Sequence, residues 1–279
     1  MKISINGIKA DITLEGEKYL SEALSGLEEW ISSSGCRIMG IAIDGEKISP
    51  GKLPGFFGRE IASIGELDIS VSSWPELAVE ALEVLLDFCD ARQEASFEGR
   101  EEIRANWEKS PACAFINLEI NDLAGFVLRS FSGEGLGPKD LRLIVEERLR
   151  ELRDSKGEVE KSENAVREIA GRMEELPLDI QTGKDGRAAE TMQLFSRISE
   201  KLFRLLFILK RKGLEEEKLI IGSLPAKAFF GEWSGALKEL QSAYETKDTV
   251  LVGDLSEYEL APRLLSFYSA LKESSLSIA

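Results

Sequence analysis

"KISINGIKADITL", residues 2–14, decides the fold class. Apolar and other residues alternate on both sides of Asn6-Gly7, the pattern of strands whose side chains point to opposite faces in turn. Asn-Gly suits the two-residue hairpin turn because both of its positions must tolerate positive φ. A hairpin is therefore predicted at the start of the chain.

Working outward, "KYLSEALSGLEEWISSSG" places Leu20, Leu24, Leu27 and Ile31 three and four residues apart, one face of a helix, with Gly35 as its stop. "RIMGIAIDGEKIS" repeats the hairpin signal around Asp44-Gly45. "LDISVSS" then alternates Leu67, Ile69 and Val71 as a last strand. The order is strand, strand, helix, strand, short strand, loop, strand. In order and size this resembles the ubiquitin-like β-grasp fold, over about a quarter of the chain and in topology alone. The resemblance implies a small binding or adaptor module. The diglycine tail of conjugated ubiquitin-like proteins is missing, since "SVSSWPEL" runs straight into a helix, so conjugation as a modifier is not expected.

From Trp74 onward the pattern is helical. Pro75, behind Ser73 and Trp74, Pro111, behind Ser110, and Pro138, behind Gly137, mark helix starts, because a first-turn residue needs no amide proton. Val159, Val166, Ile169 and Met173 form one stripe. Met192, Phe195, Ile198, Leu202, Leu205 and Leu209 form a stronger one, which Phe203, Leu206, Phe207 and Ile208 widen to nearly the whole circumference. Residues 231–274 read as an antiparallel helix pair turning near Asp248. The expectation is an α+β protein: a β-grasp-like domain over 1–73, a helical middle region over 74–155 and a helical bundle over 156–279.

Composition narrows the chemistry. The 279 residues carry a formal net charge of −15, a field opposed to nonspecific binding of nucleic acid. Histidine is absent, which removes imidazole bases, triads built on them and most zinc sites. Cys36, Cys89 and Cys113 are odd in number and lack metal spacing, as core residues in a reducing compartment would. The N-terminal stretch has no long apolar run for a signal peptide, and "LFRLLFIL" is too short to span a bilayer. A cytoplasmic location is expected, with no cofactor and no metal.

"LPLDIQTGKDGRAAETMQLF", residues 176–195, contains a glycine-lysine pair of the kind that holds phosphate. A phosphate loop also needs a leading glycine, a following serine or threonine and a preceding strand; Leu178, Asp185 and a helical pattern stand there instead. A long turn is expected over 177–186, closed by Pro177 and capped by Asp185, with Ile180, Gln181, Thr182 and Lys184 as candidate partner contacts. "GEGLGPKDL" (133–141) is expected to be a flexible link before a proline-started helix, with an anion site on its amides as the rival reading. In "VLVGDLSEYEL" (250–260), Asp254, Glu257 and Glu259 are carboxylates conceivable for acid–base work, and Pro262 predicts a kink.

Between Arg197 and Lys212 six basic residues face a single acid, Glu200. Arg204, Lys210 and Arg211 are candidate contacts there, either for a partner groove or, in a second reading, for an anionic membrane surface. The function expected is that of a non-enzymatic cytoplasmic interaction or adaptor protein of bacterial style, with a protein partner and possible self-association. The rival is a small-molecule sensor or an enzyme using carboxylates in an interdomain cleft.

Overall fold

The computed structural model describes residues 1–14, 16–133 and 135–277, without the side chain of Phe97. The chain divides into two compact units, Met1–Leu141 and Arg142–Ala279. The first begins with β1 (Lys2–Ile5), β2 (Ile8–Lys9), α1 (Leu20–Ser33), β3 (Cys36–Ile43), β4 (Glu46–Ile48) and β5 (Glu66–Ser73). The sheet order is β2-β1-β5-β3-β4, with β1 parallel to β5 and the other pairs antiparallel. This is the β-grasp arrangement. Both predicted hairpin turns form, with Asn6 and Gly7 at φ 51° and 75° and Asp44 and Gly45 at 51° and 86°. Leu20, Leu24, Leu27 and Ile31 of α1 pack on Ile3, Ile43, Leu67 and Ile69 of the sheet. The strand read in "KADITL" shrinks to Ile8–Lys9.

Polar side chains tighten this head. Asn6 extends the ladder beyond β1: its Oδ1 accepts from the Val71 amide at 2.8 Å and its Nδ2 donates to the Val71 carbonyl at 3.1 Å. Asp44 accepts from the amides of Gly65 and Glu66 at 2.8 and 3.0 Å, fixing the entry to β5, and these hydrogen bonds hold its carboxyl below the ordinary range.

Four helices complete the first unit: α2 (Trp74–Glu94), α3 (Phe97–Glu108), α4 (Pro111–Glu119) and α5 (Asn121–Ser132). Ser73 and Glu76 make a reciprocal capping box at the start of α2. Trp107 packs against Phe88 and Phe131, with centroids 5.3 and 6.1 Å apart. Glu119 ties the helices to the head, taking Arg37 at 2.6 Å and the Trp74 indole at 3.0 Å. Arg92 is buried, donates to Ser130 at 2.9 Å and stands over the Phe131 ring. Its place in the last turn of α2, beside the end of α5, sets the cation against the carbonyl ends of two helices.

The helix α6 (Pro138–Arg153) bridges the boundary in sequence. The second unit then has α7 (Ser155–Lys161), α8 (Glu163–Glu174), α9 (Leu176–Gln181) and α10 (Asp185–Arg211). A small hairpin follows, β6 (Ile220–Ile221) and β7 (Leu224–Pro225), then α11 (Ala226–Thr246), α12 (Thr249–Asp254) and α13 (Ala261–Ser277). One apolar core is shared by α8, α10, α11 and α13, with Leu202, Leu205, Trp233, Leu264 and Phe267 at its centre. The predicted turn near Asp248 is present, made by Lys247 at φ 59°.

Two readings of this unit need correction. The stretch 177–186 is not a long turn: Pro177 sits in the first turn of α9, and only Thr182, Gly183 and Lys184 separate α9 from α10. Proline at such a position starts a helix as readily as it ends one. Asp185 does not cap α10 with its side chain but lies inside its first turn. At Pro262 the missing amide proton is accommodated by a π-helical segment, Leu255–Leu260, immediately upstream.

Candidate functional site

The sequence-predicted contacts fall at the two ends of α10, about 39 Å apart at 1.5 Å per residue. At the first end, Ile180 packs half-buried on the core and Gln181 is exposed. Thr182 Oγ1 donates back to the Leu178 carbonyl at 2.7 Å. Lys184 reaches the buried carboxylate of Asp179 at 3.4 Å, and Arg187 Nε lies 3.2 Å from it. The lysine that suggested a phosphate loop is thus held by an acid. A shallow groove beside this corner, about 510 Å³, is lined by Arg167, Arg172 and Arg187 interleaved with Glu168, Glu175 and Glu190. Two of these arginines have acid partners across the groove, Arg172 with Glu190 at 2.7 Å and Arg187 with Glu175 at 2.5 Å.

At the other end the basic run meets carboxylates. Arg204 grips fully buried Glu151 at two points, 2.8 and 3.1 Å, and reaches Glu147 at 3.3 Å. Lys201 donates to Glu158 at 2.9 Å, and Lys212 to the Leu152 carbonyl at 2.7 Å. Burial pushes the Glu151 carboxyl up to about 8, with Arg148 pulling it back. Burial also lifts Glu158, but hydrogen bonds from Lys201 and Lys161 outweigh it and hold that carboxyl low. Lys210 pairs with Glu216, and the Arg211 guanidinium lies 5.2 Å from the Phe207 ring. These groups join α6, α7 and α10 into one charged seam.

The opposite flank of α10 differs. Phe203 touches Phe230 at 5.3 Å and Phe195 stacks on Trp233 at 6.0 Å, so rings of α10 and α11 share one aromatic cluster. Phe230, Leu237 and Tyr244 recur every seven residues and share one side of α11. The core does not close here: Phe203, Phe207, Leu237 and Tyr244 stay 37, 39, 38 and 45% exposed. Partial burial raises the Tyr244 hydroxyl above its ordinary range. Phe203 and Phe207 were visible as part of the wide apolar face of α10. Leu237 and Tyr244 were missed, although their seven-residue spacing from Phe230 was there to find.

The other flank of α11 is acidic. Glu232, Glu239, Asp254 and Glu259 line a cleft of about 630 Å³ with Leu255 and Tyr258, and Arg263 pairs with Glu232 and Glu259. The π-helical segment forms its far wall. Of the carboxylates considered for acid–base work, Asp254 and Glu259 line this cleft; Glu257 hydrogen-bonds exposed Tyr258 and raises its hydroxyl. Among the described residues no cluster of three or more cysteine or carboxylate side chains is set to hold a metal. In the stretch 133–141, Glu134 lies outside the described residues. The Gly137 amide there donates to Asp140 at 3.1 Å, so a carboxylate of the chain itself occupies this donor at the start of α6. No helix among the described residues is long and apolar enough to cross a membrane.

No curated protein and no solved structure matches the chain significantly. A family model described as the TP0873 N-terminal domain matches residues 1–73, and one described as a domain of unknown function (DUF8042) matches residues 158–270. The first match ends where β5 passes into α2, and the second takes in both helices of the exposed apolar strip.

Proposed function

We propose that the chain is a non-enzymatic protein-binding module, an adaptor acting in the cytoplasm, with the strip between α10 and α11 as its docking face. The observation that carries this reading is the open edge of the aromatic core: Phe203 and Phe207 of α10 and Leu237 and Tyr244 of α11 remain over a third exposed. Contiguous apolar surface exposed to water is costly and marks interaction sites in soluble proteins. Cys36, Cys89 and Cys113, none of them in a disulfide, suit a reducing compartment. The carboxylate partners of Lys201, Arg204 and Lys210 support reading the basic run as a structural seam.

A photoreactive amino acid at Leu237, activated in living cells, is expected to give discrete adducts with another protein. The same group at exposed Leu128, in the first unit, serves as the background. Adducts at Leu237 no stronger than those at Leu128 would remove the docking face.

A further inference from the structure

Asn6-Gly7 is the one Asn-Gly pair in the chain, and it carries a chemistry beyond its role as a turn. The main-chain nitrogen of the residue after an asparagine can attack the side-chain carbonyl carbon, and a glycine, with no Cβ, leaves that approach open. The bond between Gly7 N and Asn6 Cγ forms, and the Cγ–Nδ2 bond breaks. The departing nitrogen takes up the proton shed by the amide and leaves as ammonia. Water then opens the succinimide ring to aspartate or to isoaspartate, whose main chain is longer by one carbon. No oxidant or other co-reactant is required.

In the folded head one strand holds both reacting groups out of this reaction. Asn6 Oδ1 accepts from the Val71 amide at 2.8 Å and Nδ2 donates to the Val71 carbonyl at 3.1 Å, so the side chain is fixed at both ends. The Gly7 amide donates to Asp68 Oδ1 at 3.1 Å, and the Asn6 amide to the Ile69 carbonyl at 3.0 Å. An amide nitrogen that has lost its proton attacks along the direction of the lost N–H bond, and here that direction leads to Asp68. The Asp68 charge also disfavours the amide anion that the attack requires. Pairing of β1 with β2 restrains neither group, since its register joins Ser4 to Lys9 and Ile5 to Ile8. From this geometry we infer that Asn6-Gly7 is a self-modifying site gated by β5. It deamidates when residues 68–71 leave the turn, at a rate set by how often the head opens. The product no longer donates to the Val71 carbonyl and adds a negative charge to a turn already held by Asp68. As isoaspartate it also lengthens a two-residue turn. Modification therefore makes an opened head harder to close and leaves a lasting record of the opening.

The test incubates the full-length chain in mildly alkaline buffer and follows Asn6 by peptide mass mapping, with the aspartate and isoaspartate forms separated by chromatography. Asn6 of the native chain is expected to convert at a rate lower by roughly tenfold or more than Asn6 of the same chain unfolded in guanidinium. At urea concentrations below the unfolding transition, the native rate should rise with urea, as opening does. Asp68→Ala frees the Gly7 amide and should speed conversion; Asp68→Asn, which keeps an acceptor but no charge, should fall between it and the wild type. Both variants are checked for unchanged thermal unfolding, and the urea series decides without them if either fails to fold. The modified chain, separated by anion exchange, should unfold at lower denaturant than the unmodified one. Equal rates in native and unfolded chains, a native rate indifferent to urea, or a folded Asp68→Ala no faster than the wild type overturns the gate. A modified chain as stable as the unmodified one overturns the lasting record.

Discussion

Replacing Glu151 with glutamine keeps the shape of a fully buried side chain and removes its titrating proton. Burial pushes this carboxyl up to about 8 from an ordinary 4.5. Between those values the native state holds a proton that the unfolded chain has released, so this group's contribution to stability falls as pH rises. It is fully present below pH 4.5 and lost once the pH passes about 8. The slope is about 1.4 kcal/mol per pH unit, or about 5 kcal/mol over the whole window. Glu151→Gln lacks this term, whereas every other titrating group is common to both proteins. The unfolding free energy of the variant minus that of the wild type should therefore climb with pH at about that slope. Urea unfolding of both proteins at several pH values from 5 to 8, at constant ionic strength, measures it directly. A difference that stays flat would refute the reasoning. It would mean that the two-point grip of Arg204, with Arg148 nearby, outweighs burial and keeps Glu151 ionised throughout.

Three further outcomes follow from packing. A Cβ added at Gly253 would stand 2.9 Å from Cβ and 3.0 Å from Cγ of Pro177, so Gly253→Ala should destabilise by about 1–2 kcal/mol despite its better helix propensity; a neutral result in thermal unfolding would show that α9 shifts freely. On α10, Leu202→Ala should cost about 2–5 kcal/mol and Phe207→Ala less than about 1 kcal/mol, and equal costs in denaturant titration would contradict the placement of the two faces. Ser73→Ala removes one half of the capping box on α2 and should cost about 1 kcal/mol, read by chemical denaturation; no loss would mean that Pro75 and Glu76 alone suffice to start the helix.

The head was legible because its signals are local. Asn6-Gly7 and Asp44-Gly45 announce their turns, and the leucines of α1 announce their buried face. The role of Asn6 as an extension of the ladder toward Val71 was not legible, since it joins residues far apart in sequence. In the bundle, periodicity found the helices but not their ends. Pro177 is compatible with ending one helix or starting the next, and the packing of Leu176 and Ile180 against the core settles which. The basic run could not reveal its partners, because Glu147, Glu151 and Glu158 lie about fifty residues upstream. The apolar strip escaped notice for a related reason. Half of it sits on a helix, α11, whose exposed residues look unremarkable one at a time.

The strand order of the head has a consequence for how it is made. β5 is the last of the five strands in sequence, yet it lies at the centre of the sheet, flanked by β1 and β3. Until Glu66–Ser73 has left the ribosome, the β1–β2 and β3–β4 hairpins have no strand in common. The apolar face of α1 has only part of its floor. Assembly must close a loop of some sixty residues to set Lys2–Ile5 beside Glu66–Ile69 in parallel, a non-local step that is slow compared with helix formation. The sheet of a nascent head thus stays incomplete until Glu66–Ser73 is free to pair with both of its neighbours.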